Sequence, residues 1–225
     1  MDFATIRAFI FDMDGLMLDT ERIALAAWDG ALVETGVTLP KKFFVQLIGK
    51  RTTDSQQLVR QTLGPGAPVE ALWEAWGRNF EAITRRDSIP TKPGLLPLLD
   101  YLEHIGLPKI VATSTGGPRA RDHLRDVGIL NRFTEVVSGR DVPLGKPAPD
   151  IFLRAAERLG QSPEDCLVLE DSGPGIAGAH AAGTLPVLIP DLHPPEPELR
   201  SLATFEFSSL QAFHEAFAAA RGGSD

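Results

Sequence analysis

Residues 6–15 read IRAFIFDMDG, an apolar run that ends in two carboxylates and a glycine. The apolar part, residues 6–11, is rich in aromatic and branched side chains and is typical of a buried β-strand. Gly15 allows the backbone to turn sharply after Asp12 and Asp14. Because two neighbouring carboxylates are costly to bury without a cation or a proton, the end of this strand predicts a functional site.

Four more apolar runs follow along the chain, each bounded by turn residues and separated from the next by an amphipathic stretch. They cover residues 109–112, 135–137, 166–169 and 185–189. Apolar strands joined by helices are typical of a parallel sheet that is buried on both faces. The predicted fold class is therefore α/β, with a doubly wound, parallel-sheet (Rossmann-like) core.

One interval along the chain is too long for this pattern. Nearly a hundred residues separate the first two predicted strands, far more than one crossover helix requires. Within that interval, residues 20–88 have helical periodicity, interrupted by the breaker stretch GPGAP at residues 64–68. We therefore predict an α-helical cap domain at residues 20–88, inserted into a core domain made of residues 1–19 and 89–225.

The composition is that of a folded globular protein, with 225 residues, of which 43% are hydrophobic and 23% are charged. A net charge of −8 argues against a nucleic-acid partner, since such proteins normally carry a basic face. No apolar run approaches the ~18 residues of a membrane span, and no basic signal-peptide region is present. The single cysteine, Cys166, excludes an internal disulfide. We expect a cytoplasmic protein without a membrane partner, compatible with a monomer.

Three further segments follow predicted strands, at the place where open α/β sheets bind ligands. Residues 112–117, ATSTGG, offer hydroxyls and backbone amides that can bind phosphate oxygens at a helix start. Residues 145–150, GKPAPD, hold a lysine between a glycine and a proline, which fixes its reach. Residues 169–175, LEDSGPG, add two acids at the end of another strand. We expect these segments to converge with Asp12 and Asp14.

The chemistry of these side chains points to a metal and a phosphate. Several carboxylates without a cluster of histidine or cysteine favour Mg²⁺ over zinc or copper. The cation would offset the repulsion among the acids. Carboxylates, Mg²⁺, one lysine and hydroxyl donors together form an apparatus for phosphoryl transfer, in which an aspartate can accept the phosphoryl group covalently.

The same segments resemble the four motifs of the haloacid dehalogenase-like (HAD) hydrolase superfamily. They stand, in the order typical of that family, at residues 12–15, 113–114, 146 and 170–171. The insert between the first two motifs is similar to the helical cap of the β-phosphoglucomutase and phosphoglycolate phosphatase branch. The resemblance implies a Mg²⁺-dependent phosphomonoester hydrolase that acts on a small phosphorylated metabolite, such as a sugar, polyol or nucleoside phosphate.

The resemblance also implies roles for single residues. Asp12 would be the nucleophile that becomes an aspartyl-phosphate, and Asp14 the general acid and then the general base. Mg²⁺ would be held by Asp12, the Asp14 backbone carbonyl and Asp171. Glu170 would be either a direct ligand or a residue that contacts the ligands. The phosphoryl oxygens would be bound by Thr113, the Ser114 amide and Lys146. Candidate cap contacts to the rest of the substrate are Glu21, Lys50 and Arg51.

Two other hypotheses stay open. A phosphomutase would use a sugar bisphosphate to recycle the aspartyl-phosphate, but Ala24 stands where β-phosphoglucomutases carry a cap histidine, and Thr52 where they carry an arginine. A signalling module could store the aspartyl-phosphate without turnover, although such a module needs little more than half of this chain and no cap. The absence of the mutase histidine and arginine, and the length of the chain with its cap, both favour a hydrolase.

Overall fold

The computed structural model describes residues 3–222 and contains a six-stranded parallel sheet. Its strands are β1 (Ala8–Phe11), β2 (Lys109–Thr113), β3 (Val136–Ser138), β4 (Cys166–Glu170), β5 (Leu185–Leu188) and β6 (Phe205–Glu206). Their order is β3-β2-β1-β4-β5-β6, which confirms the doubly wound α/β core. The first five strands match the predicted ones to within two residues at each end. Strand β6 was not predicted, because two residues carry no recognisable alternation.

Nine α-helices accompany the sheet within the described residues: α1 (Thr20–Thr35), α2 (Thr52–Leu63), α3 (Val69–Asp87), α4 (Leu95–His104), α5 (Gly117–Asp126), α6 (Asp150–Leu159), α7 (Gly173–Ala181), α8 (Pro197–Arg200) and α9 (Leu210–Gly222). Short 3₁₀ helices lie at Lys41–Leu47, Leu130–Arg132 and Pro163–Asp165. Within residues 3–222, none of the helices combines the length and the apolar character that crossing a membrane requires.

Strand β1 lies in the middle of the sheet and has a parallel neighbour on each side. Phe11 pairs with Val111 of β2 and with Leu169 of β4. Because the three strands point the same way, the residues that follow these pairs lie at one edge of the sheet. Asp12 and Glu170 are among them, so the strand register itself brings two predicted site residues together.

Alternate side chains of β1 enter two apolar layers, as expected for a strand that is buried on both faces. Phe9 and Phe11 pack in one cluster with Phe213 of α9. Ile10 packs in the other cluster with Phe152 of α6. Full burial of each such side chain contributes about 1.5–3 kcal/mol, so the position of the strand end is held firmly.

The long insert is α-helical, as predicted. Helices α1, α2 and α3 and the 3₁₀ helix Lys41–Leu47 surround a third apolar cluster, which includes Trp28, Phe44, Val59 and Leu72. This cluster is separate from the two clusters on the sheet. The domain boundaries themselves, after residues 19 and 88, stay a prediction.

The chain enters and leaves the cap beside the end of β1. Leu18 forms an antiparallel bridge with Thr91. The Lys92 amide donates to the Met17 carbonyl at 2.8 Å, and the Lys92 ammonium lies 3.0 Å from a carboxylate oxygen of Asp19. The two connecting segments therefore lie side by side, and they place the cap next to the strand ends that carry the predicted acids.

Candidate active site

Three buried carboxylates meet at the edge of the sheet. Asp12 follows β1, Glu170 ends β4, and Asp171 comes directly after it. Oxygen atoms of the three carboxylates lie within 4.8 Å of one another. Burial, together with the neighbouring carboxylates, raises the pKa of Asp12 and of Asp171 well above 3.8. These acids therefore need nearby positive charge to be ionised at the same time.

Lys146 supplies part of that charge. Its ammonium donates to Asp12 Oδ1 at 2.5 Å and also to Glu170 Oε1, and the side chain is buried. It lies 5.2 Å from the ring centroid of Phe152, on the helix that follows. Burial lowers the pKa of Lys146, but the charges of Asp12 and Glu170 raise it above its usual value overall. The lysine therefore stays protonated. It links the predicted segment at residues 145–150 to Asp12 and to Glu170.

Glu170 is the most firmly held of the three acids. Besides the bond from Lys146, its Oε2 accepts from the Asp171 amide at 3.1 Å and from the Ser172 amide and hydroxyl at 3.1 and 3.0 Å. Gly175 lies directly against this carboxylate, since a Cβ there would be 2.0 Å from it. The orientation of Glu170 is thus fixed by the turn into α7.

The carboxylate of Asp14 is bound by hydroxyls. Its Oδ1 accepts from Thr20 at 2.7 Å, and its Oδ2 accepts from Thr113 at 3.2 Å and from Thr115 at 2.7 Å. The side chain therefore stands beside the cluster of three acids and not within it. Thr20 and Thr115 were not predicted, although Thr115 lies inside the ATSTGG segment that was singled out.

The predicted cap residues lie in different places. Ser114 Oγ donates to the Gly49 carbonyl at 2.8 Å, which joins the core to the loop before α2. Lys50, in that loop, lines the cavity beneath the cap. The Arg51 guanidinium instead donates to the Pro143 carbonyl at 3.1 Å, and Arg51 is not among the described residues that line the cavity.

Glu21, the third predicted cap residue, lies beside the acids. It lines the cavity and is only 7% exposed. Burial, with contributions from the nearby carboxylates of Asp191 and Asp14, raises the pKa of Glu21 to about 8. This first turn of α1 therefore adds another carboxyl group to an already acidic region.

A cavity of about 180 Å³ lies between the strand ends and the cap helices. Asp12 and Asp14 line its core side. Its other walls include side chains that were not predicted as site residues: Trp28, Phe44, Trp73, Trp76, Phe80, Arg119 and His123. The two catalytic candidates thus open into a space that is largely aromatic.

Comparison with known proteins gives a consistent result. Residues 6–183 match the family model described as haloacid dehalogenase-like hydrolase. A "Probable pseudouridine-5'-phosphatase" of Drosophila melanogaster is 35% identical over 214 residues, which are 91% of this chain and 90% of the relative. A fructose-1-phosphate phosphatase of Escherichia coli is 34% identical over 176 residues, 77% of this chain and 91% of the relative.

Solved structures share the fold over nearly the whole chain. A hydrolase from Pseudomonas syringae has a TM-score of 0.82 at 26% identity and covers 95% of this chain and 98% of its own. A β-phosphoglucomutase from Clostridium difficile has a TM-score of 0.80 at 21% identity, with 96% and 97% covered. The core and the inserted helical cap therefore occur together in other proteins.

Proposed function

Since this chain belongs to the haloacid dehalogenase-like hydrolase family, we propose that it is a Mg²⁺-dependent phosphomonoester hydrolase that works through an aspartyl-phosphate. It is a phosphatase of that family, like its relatives from Drosophila melanogaster and Escherichia coli. Its substrate is a small phosphorylated metabolite, namely a sugar, polyol or nucleoside phosphate. The proposal rests on the buried cluster of Asp12, Glu170 and Asp171, with Lys146 bonded to two of its members.

The donor atoms of the cluster fit a hard divalent cation. The three carboxylates are paired with one lysine, so the ionised cluster carries a net negative charge. All of its donor atoms are oxygen, as a hard cation requires. Asp12, Asp171 and the Asp14 backbone carbonyl would hold Mg²⁺, with Glu170 as a further ligand or as a partner through hydrogen bonds. When bound, the ion neutralises charge on the phosphoryl group and on the acids.

Asp12 is the proposed nucleophile. One of its carboxylate oxygens forms a bond to phosphorus while the bond from phosphorus to the ester oxygen breaks. The ammonium of Lys146 on Oδ1 favours the ionised carboxylate that this attack requires. The product of the step is an aspartyl-phosphate and a free alcohol.

Asp14 is the proposed general acid and base. It donates a proton to the departing ester oxygen and then removes a proton from the water that hydrolyses the aspartyl-phosphate. Hydrogen bonds from Thr20 and Thr115 hold its carboxylate at the cavity wall beside Asp12. Proton transfer by a positioned side chain of this kind contributes ~10²–10⁴ to the rate.

The remaining predicted residues would bind the substrate. Thr113, the backbone amide of Ser114 and Lys146 are proposed to bind the phosphoryl oxygens. Glu21, Lys50 and Arg51 are proposed as contacts from the cap. Glu21 and Lys50 line the cavity, which supports this role for them. Arg51 instead donates a hydrogen bond to the Pro143 carbonyl in the core.

A hydrolase is favoured over a phosphomutase. Ala24 lines the cavity at the position where β-phosphoglucomutases carry a cap histidine. A methyl group cannot transfer a proton to a bound sugar. Incubation with a hexose 1-phosphate distinguishes the two activities, because a hydrolase releases inorganic phosphate and a mutase forms the 6-phosphate.

The test is the release of 4-nitrophenolate from 4-nitrophenyl phosphate. We expect turnover with Mg²⁺, none in excess EDTA, and recovery when Mg²⁺ is restored. Asp12→Asn should lower kcat by about 10³-fold or more, since the amide is a poor nucleophile. The matched control is Asp29→Asn at an exposed position on α1, which should retain full activity. Undiminished turnover in Asp12→Asn, or in EDTA, would refute the proposal.

A further inference from the structure

Much of the cavity wall is built from aromatic side chains. Trp28, Phe44 and Phe80 are buried, with 3%, 8% and 3% of their surface exposed. Trp73 and Trp76 are only half-buried, although both line the cavity. These two indoles therefore retain surface that the protein itself does not cover.

Both indoles are held in place by the cap. The Trp73 ring packs edge-on against Trp28, with centroids 5.5 Å apart and an interplanar angle of 76°. The Trp76 Nε1 donates to the Ala24 carbonyl at 3.0 Å. An aromatic ring with a fixed orientation binds another flat ring at a low entropic cost, because little side-chain freedom is lost.

Two polar side chains of α5 reach the same wall. The Arg119 guanidinium lies 4.3 Å from the ring centroid of Phe80 and 5.2 Å from that of Trp76, and no ion pair of Arg119 occurs within residues 3–222. His123 is stacked on Phe80 at 5.6 Å and is 9% exposed. Its Nδ1 has no hydrogen-bond partner among the described residues. A buried nitrogen of this kind is costly unless a ligand or water satisfies it.

We propose that the alcohol portion of the substrate carries a flat heterocyclic base that stacks against the wall formed by Trp73 and Trp76. Arg119 and His123 supply polar contacts to the edge of that base. The proposal rests on the phosphatase function and selects one class among its possible substrates, the nucleoside monophosphates. The cavity of about 180 Å³ has room for an aromatic ring, since a cavity of ~150 Å³ holds one benzene molecule.

A polyol or simple sugar phosphate fits this wall less well. Such an alcohol has no π face to stack on the indoles, so it gains less from them than a base does. Stacking of a base on an aromatic side chain, in contrast, is favourable whichever base is present. The aromatic wall therefore discriminates by the shape of the leaving alcohol.

The experiment compares uridine 5'-monophosphate with ribose 5-phosphate. Both esters carry the phosphate on the same primary hydroxyl of a pentose, so the bond that breaks is the same and the base is the main difference. We expect kcat/KM to be at least about tenfold higher for the nucleotide. Equal values, or a preference for ribose 5-phosphate, would overturn the inference while leaving the phosphatase function standing.

Trp73→Leu and Trp76→Leu, made separately, assign the preference to the wall. Each should lower the ratio of the two kcat/KM values by about fivefold or more. A folding defect lowers both values by the same factor and leaves their ratio unchanged. Arg78→Ala, at an exposed position on the same helix, is the control and should keep the wild-type ratio. A ratio that is unchanged in both leucine variants would overturn the inference, whereas no phosphate release from any ester, 4-nitrophenyl phosphate included, would refute the phosphatase function itself.

Discussion

The two ends of the candidate active site are built by different means. At the acidic end, Asp12 and Glu170 are placed by parallel strands and bonded to Lys146. At the aromatic end, Trp73 and Trp76 project from α3 and contact other side chains. The acidic end is thus fixed by backbone pairing in the sheet, and the aromatic end by the packing of helices. We expect changes at the first to affect every substrate, and changes at the second to affect the choice among substrates.

The largest difference between the two ends should appear when a cation is removed from each. Lys146→Met leaves Asp12 and Glu170 buried without their positive partner, which should cost about 3–5 kcal/mol of the free energy of unfolding. Arg119→Met removes a cation that rests on two aromatic rings, and should cost about 1 kcal/mol. Urea denaturation in the presence of Mg²⁺ measures both.

The methionine variants keep most of the side-chain volume, so the comparison reports on charge. Lys146→Met should also lose turnover of 4-nitrophenyl phosphate, because the proposed nucleophile and the phosphoryl group lose their cation. Similar costs for the two substitutions would contradict the distinction between a charge-paired end and a packed end.

A second comparison uses two glycines in helices, one at each end. A Cβ at Gly175 would lie 2.0 Å from the Glu170 carboxylate, whereas a Cβ at Gly77, on α3, would meet nothing within 4 Å. Gly175→Ala should therefore destabilise the protein by about 1–3 kcal/mol and reduce activity, because Glu170 must move. Gly77→Ala should stabilise it by about 0.5–1 kcal/mol, since alanine loses less backbone entropy in a helix.

Thermal unfolding of the two alanine variants gives a direct answer. Opposite shifts of the midpoint are expected, downward for Gly175→Ala and upward for Gly77→Ala. If both variants lower the midpoint of thermal unfolding equally, the close approach of Gly175 to Glu170 does not contribute to stability as argued here.

The acidic end could be predicted from sequence because its signals are local. Asp12, Asp14, Glu170 and Asp171 directly follow apolar runs, and parallel strands bring their carboxyl ends to one edge. Position along the chain was therefore enough to place Asp12, Glu170 and Asp171 in one cluster, with Asp14 beside it. The same reasoning located the insert, since the interval between the first two strands was far too long.

The aromatic end could not be predicted in this way. Trp73, Trp76 and Phe80 recur at the spacing of any helix face that packs in a core. Whether that face meets a core or a cavity depends on how the cap rests on the strand ends. Arg51 illustrates the same limit, because the sequence indicates a cation near the site but cannot tell a substrate contact from a bond to Pro143.

The smallest expected difference between the two ends concerns their response to acid. Burial lowers the pKa of His123 in the folded protein below 6.5, the value expected in the unfolded chain. At a pH between these two pKa values, the unfolded chain binds more protons than the folded protein. The contribution of His123 to stability therefore falls as the pH drops below about 6.5, by at most ~1.4 kcal/mol per pH unit. At the acidic end the sign is reversed, because the raised pKa of Glu21, about 8, favours the folded state as its carboxyl group is protonated.

His123→Gln separates these opposing effects. The free energy of unfolding of the wild type minus that of the variant should decrease between pH 7.5 and 5.5, because the variant lacks the group that titrates while the acids are common to both proteins. His180→Gln, at an exposed position on α7, measures the effect of removing an imidazole elsewhere. A difference between wild type and His123→Gln that does not vary with pH would show that His123 gains its proton as easily in the folded protein as in the unfolded chain. In that case burial would not disfavour the charged form of His123, and the two ends would not differ in their response to acid in the way expected here.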